Sequence, residues 1–297
     1  MIVREKEPMR LHTSFRAGGE ADWYVKPESP EELLRVTKEC KKAGVPWYVV
    51  GNGSNLLVSD TGYQGVIISM EGFDELNTEG SILTAGSGVP LFRAANTACR
   101  EGLSGLEFAA GIPGSVGGAA AMNAGAYGSE MKDVIHSLTV LTADGGVRTL
   151  MREELSFGYR ESSIAREGML VLMAEFALSP GDTGEVREQM EELSRKRREK
   201  QPLEYPSAGS TFKRPAGSFA GKLIEEAGLK GLRSGGAMVS EKHAGFVINY
   251  ENASASDIYR LCREVQKRVK EHAGVELELE VRLLGDFSGA DRKEEEG

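Results

Sequence analysis

The stretch Gly111-Ile112-Pro113-Gly114-Ser115-Val116-Gly117-Gly118-Ala119-Ala120-Ala121-Met122-Asn123-Ala124-Gly125-Ala126-Tyr127-Gly128 decides how this chain is read. It is mostly glycine, alanine and small polar residues, a composition that excludes an ordinary core segment. Glycine at this density lets backbone N–H groups converge, accepts positive φ and admits a ligand to the main chain with no Cβ in the way. Ile112, Val116, Met122 and Tyr127 punctuate the run with anchoring side chains. It therefore reads as a cradle for a large, flat, phosphorylated ligand in preference to a plain surface loop.

A second glycine-rich element, Gly51-Asn52-Gly53-Ser54-Asn55, sits between two expected strands. It lacks the third glycine of a Rossmann fingerprint, since Leu56 occupies that position and a strand follows where a helix should begin. It also lacks the Gly-Lys-Ser/Thr ending of a P-loop. Alone it is equally a hairpin turn. Two such elements in one chain suggest one extended dinucleotide bound across both, which favours FAD over a simple phosphate ester.

Working outward, capping and periodicity outline the rest. Ser29-Pro30-Glu31-Glu32 is an N-cap, a proline at the first helical position and a capping-box glutamate; with Gly44 as stop they predict a helix over 30–43. Strands are expected at 46–50, 56–58 and 65–69. A helix over 90–101 is closed by Gly102. Strand signals follow at 137–142, 147–150 and 170–178, the first two joined by an Asp144-Gly145 turn. The composition then shifts to Glu, Arg, Lys and Gln over 184–200, a connecting helix ended by Pro202. A helix over 218–227 stops at Gly228. Ser254-Ala255-Ser256-Asp257 caps an amphipathic helix with the stripe Ile258, Leu261, Cys262, Val265 and Val269. Val275–Leu283 alternates throughout, predicting a half-buried strand with Glu276, Glu278, Glu280 and Arg282 on its polar face.

A chain of 297 residues buries a sizeable core and divides more readily into two or three lobes than one. Its formal charge of −9 argues against a nucleic-acid binder, and part of that charge sits in a solvated, functionally silent tail, Glu294-Glu295-Glu296. Cys40, Cys99 and Cys262 are odd in number and scattered, giving neither a disulfide framework nor a zinc site and fitting a reducing compartment. No signal-peptide stretch opens the chain, and nowhere do about 18 apolar residues run together, so a cytoplasmic protein without membrane insertion is expected.

Few residues advertise chemistry. Tyr159-Arg160 precedes Glu161-Ser162-Ser163, and Ala208–Pro215 gathers Ser210, Thr211, Lys213 and Arg214 in one loop. Arg160 can clamp a carboxylate or phosphate, or simply form a salt bridge. Ser210 can donate a proton to a strongly basic intermediate, or cap a turn. Glu280 shares its face with two other glutamates and can simply meet water. No Ser-His-Asp signature is present, and His12, His136, His243 and His272 show no ligand pairing, which leaves hydrolase and metalloenzyme readings weak.

Six motifs together resemble one family. Gly51–Val58, Glu107–Gly118, Phe157-Gly158-Tyr159-Arg160, Gly209–Pro215, His243–Asn249 and Leu279–Arg282 are similar to those of the UDP-N-acetylenolpyruvoylglucosamine reductase (MurB) family, in the family's order and over about 13–285. The resemblance implies an α+β protein with a two-subdomain FAD-binding fold of the PCMH/vanillyl-alcohol-oxidase type, over 1–70 and 71–200 with the connecting helix. A C-terminal α/β substrate domain over 201–297 follows. It implies non-covalent FAD, NADPH as co-substrate, and reduction of UDP-N-acetylglucosamine enolpyruvate to UDP-N-acetylmuramate for peptidoglycan.

By the same resemblance the family's catalytic arginine, proton-donating serine and carboxylate fall on Arg160, Ser210 and Glu280. Gly51, Asn52, Gly53, Ser54, Asn55 and Leu56 align with the cofactor site, as do Gly111, Gly114, Ser115, Gly117, Gly118, Asn123, Gly125 and Ala126. Tyr159, Lys213, Arg214 and Lys222 are the implied substrate contacts. The chain has no room between Arg160 and Ser210 for the substrate-covering segment of longer members, which implies the shorter type II form. Arg214 departs from the asparagine usual in those longer members. Two competing classes are an FAD-dependent oxidase of the same fold and a flavin- or nucleotide-binding module without turnover; intact Arg160, Ser210 and Glu280 argue against both. No oligomeric state follows from the sequence.

Overall fold

The computed structural model describes residues 1–290, so the acidic tail Glu294–Glu296 lies outside the described residues. The chain forms two compact units. One comprises 1–3, 24–52 and 67–197, the other 4–23, 53–66 and 198–297.

The first unit is built on a five-stranded antiparallel sheet in the order Val147–Met151, Ile135–Leu141, Leu170–Ala177, Ile82–Gly86, Leu76–Glu79. Leu83, Leu138, Val140, Ala174 and Phe176 face a core closed by the helix Leu91–Arg100 through Ala94, Ala95 and Ala98. Small side chains there let the helix lie close to the sheet. The glycine-rich run also enters this core, against the expectation that it could not be a core segment. Val116–Met122 is a helix, and Val116, Gly117, Ala119 and Ala120 are buried. Gly117 makes this possible, because a Cβ there would fall 2.6 Å from Ser87 Cβ. Gly118, between the buried positions, stays exposed.

Local signals worked where capping was strong. Ser29 Oγ accepts from Glu32 N at 3.3 Å at the start of the helix Pro30–Ala43, and Gly44 ends it at φ +66°. The strands Ile2–Pro8, Glu20–Lys26, Tyr63–Ser69 and Trp47–Val50 make a four-stranded sheet in that order. The first two strands carried no legible pattern, since Ile2–Pro8 exposes five consecutive residues and shows no alternation. Leu76–Glu79 and Ile82–Gly86 were equally silent.

In the second unit the helix Ala255–Ala273 opens with the expected capping box between Ser254 and Asp257. It buries Ile258, Leu261, Cys262, Val265 and Val269 against Leu223, Ile224, Phe212, Leu277 and Val281. Strands Arg233–Ser234, Ala237–Val239 and Val247–Asn249 form a small antiparallel sheet beside it. The strand expected over 275–283 is corrected. Its middle makes one antiparallel bridge, Leu279 to Phe212, and the chain then pairs in parallel with Leu56–Val58 as the strand Arg282–Leu284. Because the segment changes partner after Val281, its alternation stops there, and Leu283 is 40% exposed.

Candidate active site

Gly51 and Asn52, the start of one glycine-rich segment, share the first unit with the other, and the two meet there at Gly51 and Ser115. A Cβ at Gly51 would lie 2.2 Å from Ser115 Oγ and 3.2 Å from Ser115 Cβ. Ser115 is buried and caps the helix Val116–Met122, accepting from Gly118 N at 3.5 Å. The helix's first amides are already engaged, Val116 N with Val89 O at 2.9 Å and Gly117 N with Ser87 O at 2.8 Å. Among the described residues the N–H groups of Gly51, Asn52, Gly114 and Ser115 donate to no protein acceptor. Such groups call for an outside partner when covered.

Arg197, missed in the sequence, supplies the matching charge. Its stem and one guanidinium nitrogen abut Gly111, where a Cβ would sit 3.3 Å from both Cδ and Nη1. Nε is buried without a hydrogen-bond partner, and Arg197 makes no ion pair among the described residues. Burial pulls its guanidinium below the ordinary arginine value. A half-buried cation with no carboxylate partner against Gly111, in the unit that also carries unpaired amides, fits an anionic, phosphate-bearing ligand such as FAD. Nothing in the polar run 184–200 distinguishes Arg197 from its neighbours; only its buried, unpartnered Nε and its contact with Gly111 do.

Beyond the helix, Gly125–Ala126 pairs with Ser129–Glu130, and Gly125 lies close to Ser129 O. Asn123 ends the helix at φ +44° and is fully buried. Its Nδ2 donates to Glu130 Oε2 and Gly158 O, both at 3.0 Å, and its Oδ1 accepts from Lys132 N at 3.0 Å. Its side chain thus serves the protein.

Arg160 sits at the tip of a hairpin, Phe157–Gly158 against Glu161–Ser162. The two-residue turn needs φ > 0 at its second position, and Arg160 adopts +57°. Non-glycine residues there carry strain that the surroundings must hold. The guanidinium lies over the half-exposed Tyr159 ring, 5.3 Å from its centroid. The carboxyl of Glu130 is held below the usual range by its bond to Lys132, helped by Asn123 and the charge of Arg160.

In the second unit Ser210 and Glu280 belong to neighbouring segments. Gly209 takes φ +74°, exposing Ser210 at a turn. The next residue, Thr211, is fully buried; its N donates to Gly245 O at 2.9 Å and its Oγ1 accepts from Val247 N at 2.9 Å. Its carbonyl accepts from Glu280 N at 2.9 Å. Thr211, named in the sequence only as one of the hydroxyls of this loop, therefore fixes both.

The three glutamates also separate. Glu276 is exposed and paired with Lys270, Glu278 is exposed and paired with Lys213 at 3.0 Å, and Glu280 alone is half-buried. Asn55 Nδ2 donates to Glu280 O at 3.0 Å, and Asn55 O accepts from Arg282 N at 3.0 Å. Gly53, at φ +57°, passes so near His12 that a Cβ would fall 1.9 Å from its carbonyl oxygen. Leu56 is buried in its strand. Of the other expected substrate contacts, Arg214 stacks on Phe219 at 4.3 Å and Lys222 faces Glu226 at 3.7 Å.

Comparison with known proteins agrees with this geometry. Residues 21–151 match the family described as FAD binding domain, and residues 201–284 match UDP-N-acetylenolpyruvoylglucosamine reductase, C-terminal domain. The chain is 48% identical over 284 residues to UDP-N-acetylenolpyruvoylglucosamine reductase of Streptococcus pneumoniae strain Hungary19A-6, covering 96% of this chain and 94% of that one. The enzyme of strain R6 matches at 48% identity, over 96% of this chain and 90% of its own. The crystal structure of UDP-N-acetylenolpyruvylglucosamine reductase (MurB) from Thermus caldophilus superposes with a TM-score of 0.82 at 38% identity, covering 96% and 98% of the two chains. The protein is thus an α+β flavoprotein with an FAD-binding domain and a distinct C-terminal domain. It belongs to the UDP-N-acetylenolpyruvoylglucosamine reductase family.

Proposed function

We infer that this chain reduces UDP-N-acetylglucosamine enolpyruvate to UDP-N-acetylmuramate, with NADPH as reductant and FAD as cofactor, in peptidoglycan precursor synthesis. Family membership over 96% of the chain carries the reading, and the match to the FAD-binding domain supports the cofactor. It sets aside the oxidase and the bare binding module. Bound FAD, reduced by NADPH, supplies the hydride for the enol ether.

The chain's own residues do the rest. Gly51, Asn52, Gly114 and Ser115 offer amides to the cofactor's phosphates, with Arg197 as counter-charge. The remaining glycine-rich positions let main chain approach it. The absence of His and Cys from both segments supports non-covalent attachment. Hydride addition at the terminal carbon drives negative charge into the substrate carboxylate, and Arg160 stabilises that charge as it develops. Glu280 shares a proton with the substrate carboxylate, donating it as a hydrogen bond, and lowers the carboxylate's electron density. Ser210 delivers a proton to the adjacent carbon, a task a weakly acidic hydroxyl performs only against a strongly basic enolate. Tyr159, Lys213, Arg214 and Lys222 contact the nucleotide portion of the substrate, with Lys213 leaving Glu278 to do so.

Residues 1–200 hold the cofactor, in subdomains divided near 70, and 201–297 the substrate. The three free, buried cysteines support a reducing, cytoplasmic setting. The chain's partners are small molecules and not nucleic acid; among the described residues no helix is long and apolar enough to cross a membrane. The test is anaerobic and spectroscopic. NADPH should bleach the oxidised flavin absorbance of the purified protein, and UDP-N-acetylglucosamine enolpyruvate should restore it. Bleaching without restoration by that substrate sinks the reading.

A further inference from the structure

We propose that Asn123 is a positioning residue for the half of the reaction in which the enolpyruvyl substrate reoxidises the flavin, clamping the hairpin that carries Arg160 to the helix Val116–Met122. The inference rests on the reading of Arg160 as the charge-stabilising residue.

The hairpin has two residues in each strand, too few to hold a shape alone. Its tip is also strained by the positive φ of Arg160. Two side-chain hydrogen bonds tie it to the end of the helix. Ser162 Oγ donates to Ala121 O at 2.6 Å, and Asn123 Nδ2 donates to Gly158 O at 3.0 Å. The second bond lies two residues from Arg160. The same Nδ2 holds Glu130 Oε2, whose carboxylate interacts with the Arg160 charge. One buried amide therefore sets both the hairpin and the carboxylate that the guanidinium feels.

The amide's orientation follows from its neighbours. Nδ2 faces two acceptors and Oδ1 faces the Lys132 N–H, so the flipped arrangement would set oxygen against oxygen twice. Both donors are spent on protein, which leaves the side chain no donor for a cofactor. Its left-handed backbone, φ +44°, is one that asparagine and glycine tolerate. Asparagine alone of the pair adds the clamp.

Asn123→Gly keeps the backbone and removes the three side-chain bonds. Asn123→Asp keeps the acceptor for Lys132 N and sets a carboxylate against Glu130 and Gly158 O. In the holoenzyme, hydrogen exchange across 157–162 should accelerate in both variants. Flavin content and reduction by NADPH should stay within about two-fold of wild type. Reoxidation by the enolpyruvyl substrate should slow about 10- to 100-fold, the scale of a misplaced catalytic group. In an Arg160→Ala background, Asn123→Gly should add less than about a two-fold effect, because the group it positions is gone.

Unchanged reoxidation, equal loss in both half-reactions, or the same loss in the Arg160→Ala background would each overturn the proposal. Loss of flavin from both variants would overturn it too, assigning Asn123 to the cofactor cradle. Arg160→Ala with wild-type reoxidation is a different result: it removes the assignment of Arg160 and this inference with it.

Discussion

Gly51→Ala tests whether the two glycine-rich segments act as one cradle. The added Cβ would sit 2.2 Å from Ser115 Oγ, about 1.2 Å inside an ordinary contact of some 3.4 Å, and 3.2 Å from Ser115 Cβ. Ser115 cannot readily give way, since it is 2% exposed and its hydroxyl caps the following helix. Overpacking of this kind costs about 1–3 kcal/mol. If the segments part to relieve it, that energy is taken from FAD binding, and about 1.4 kcal/mol is a factor of ten. FAD affinity of the apoprotein should fall roughly 5- to 150-fold, read by flavin fluorescence titration. Ser115→Ala alone loses a cap worth about 1 kcal/mol. The double variant supplies the decisive comparison. Removing Oγ leaves only the milder 3.2 Å contact, so Gly51→Ala should cost less in the Ser115→Ala background, with a coupling of about 1 kcal/mol or more. Strict additivity, or wild-type affinity in Gly51→Ala, would refute the idea that these loops jointly shape the site.

Three further outcomes follow from the second unit. Glu280→Gln should remove most of the substrate half-reaction while sparing FAD binding, whereas Glu276→Gln and Glu278→Gln, on exposed ion pairs, should shift stability by no more than about 0.5 kcal/mol and leave turnover alone; stopped-flow absorbance separates the three, and a damaging Glu276→Gln would withdraw the assignment. Ser210→Ala should leave flavin reduction by NADPH intact and slow reoxidation by substrate by about 10²–10⁴-fold, with partial recovery in Ser210→Cys. Equal loss in both half-reactions would mark a turn hydroxyl instead. Burial pushes the Cys262 thiol up to about 12, so at pH 8 it stays protonated and should resist alkylation in the native protein, reacting only after unfolding; mass spectrometry of iodoacetamide-treated native protein showing full labelling would contradict that burial.

The elements legible in the sequence are those whose cause is local. A cap and its partner lie three residues apart, so Ser29 with Glu32 and Ser254 with Asp257 announce helix starts without reference to the fold. The stripe from Ile258 to Val269 likewise shows which face must be buried. The recurrence of six motifs in order pointed to the family and its chemistry. What depended on distant partners stayed hidden. The alternation of 275–283 is the same for all three glutamates, and only Lys270, Lys213 and the Thr211 carbonyl tell Glu280 apart. The glycine-rich run reads as one cradle, yet Gly117 turns its middle into core by letting the helix close on Ser87. Arg197 looks ordinary among polar neighbours until packing buries its Nε without a partner, and Asn123, aligned with the cofactor site by resemblance, spends its side chain on Glu130, Gly158 and Lys132 once the chain folds. Periodicity and capping are properties of a few consecutive residues. Burial, partner choice and the close approach of Gly51 to Ser115 arise only when segments far apart in the chain pack together.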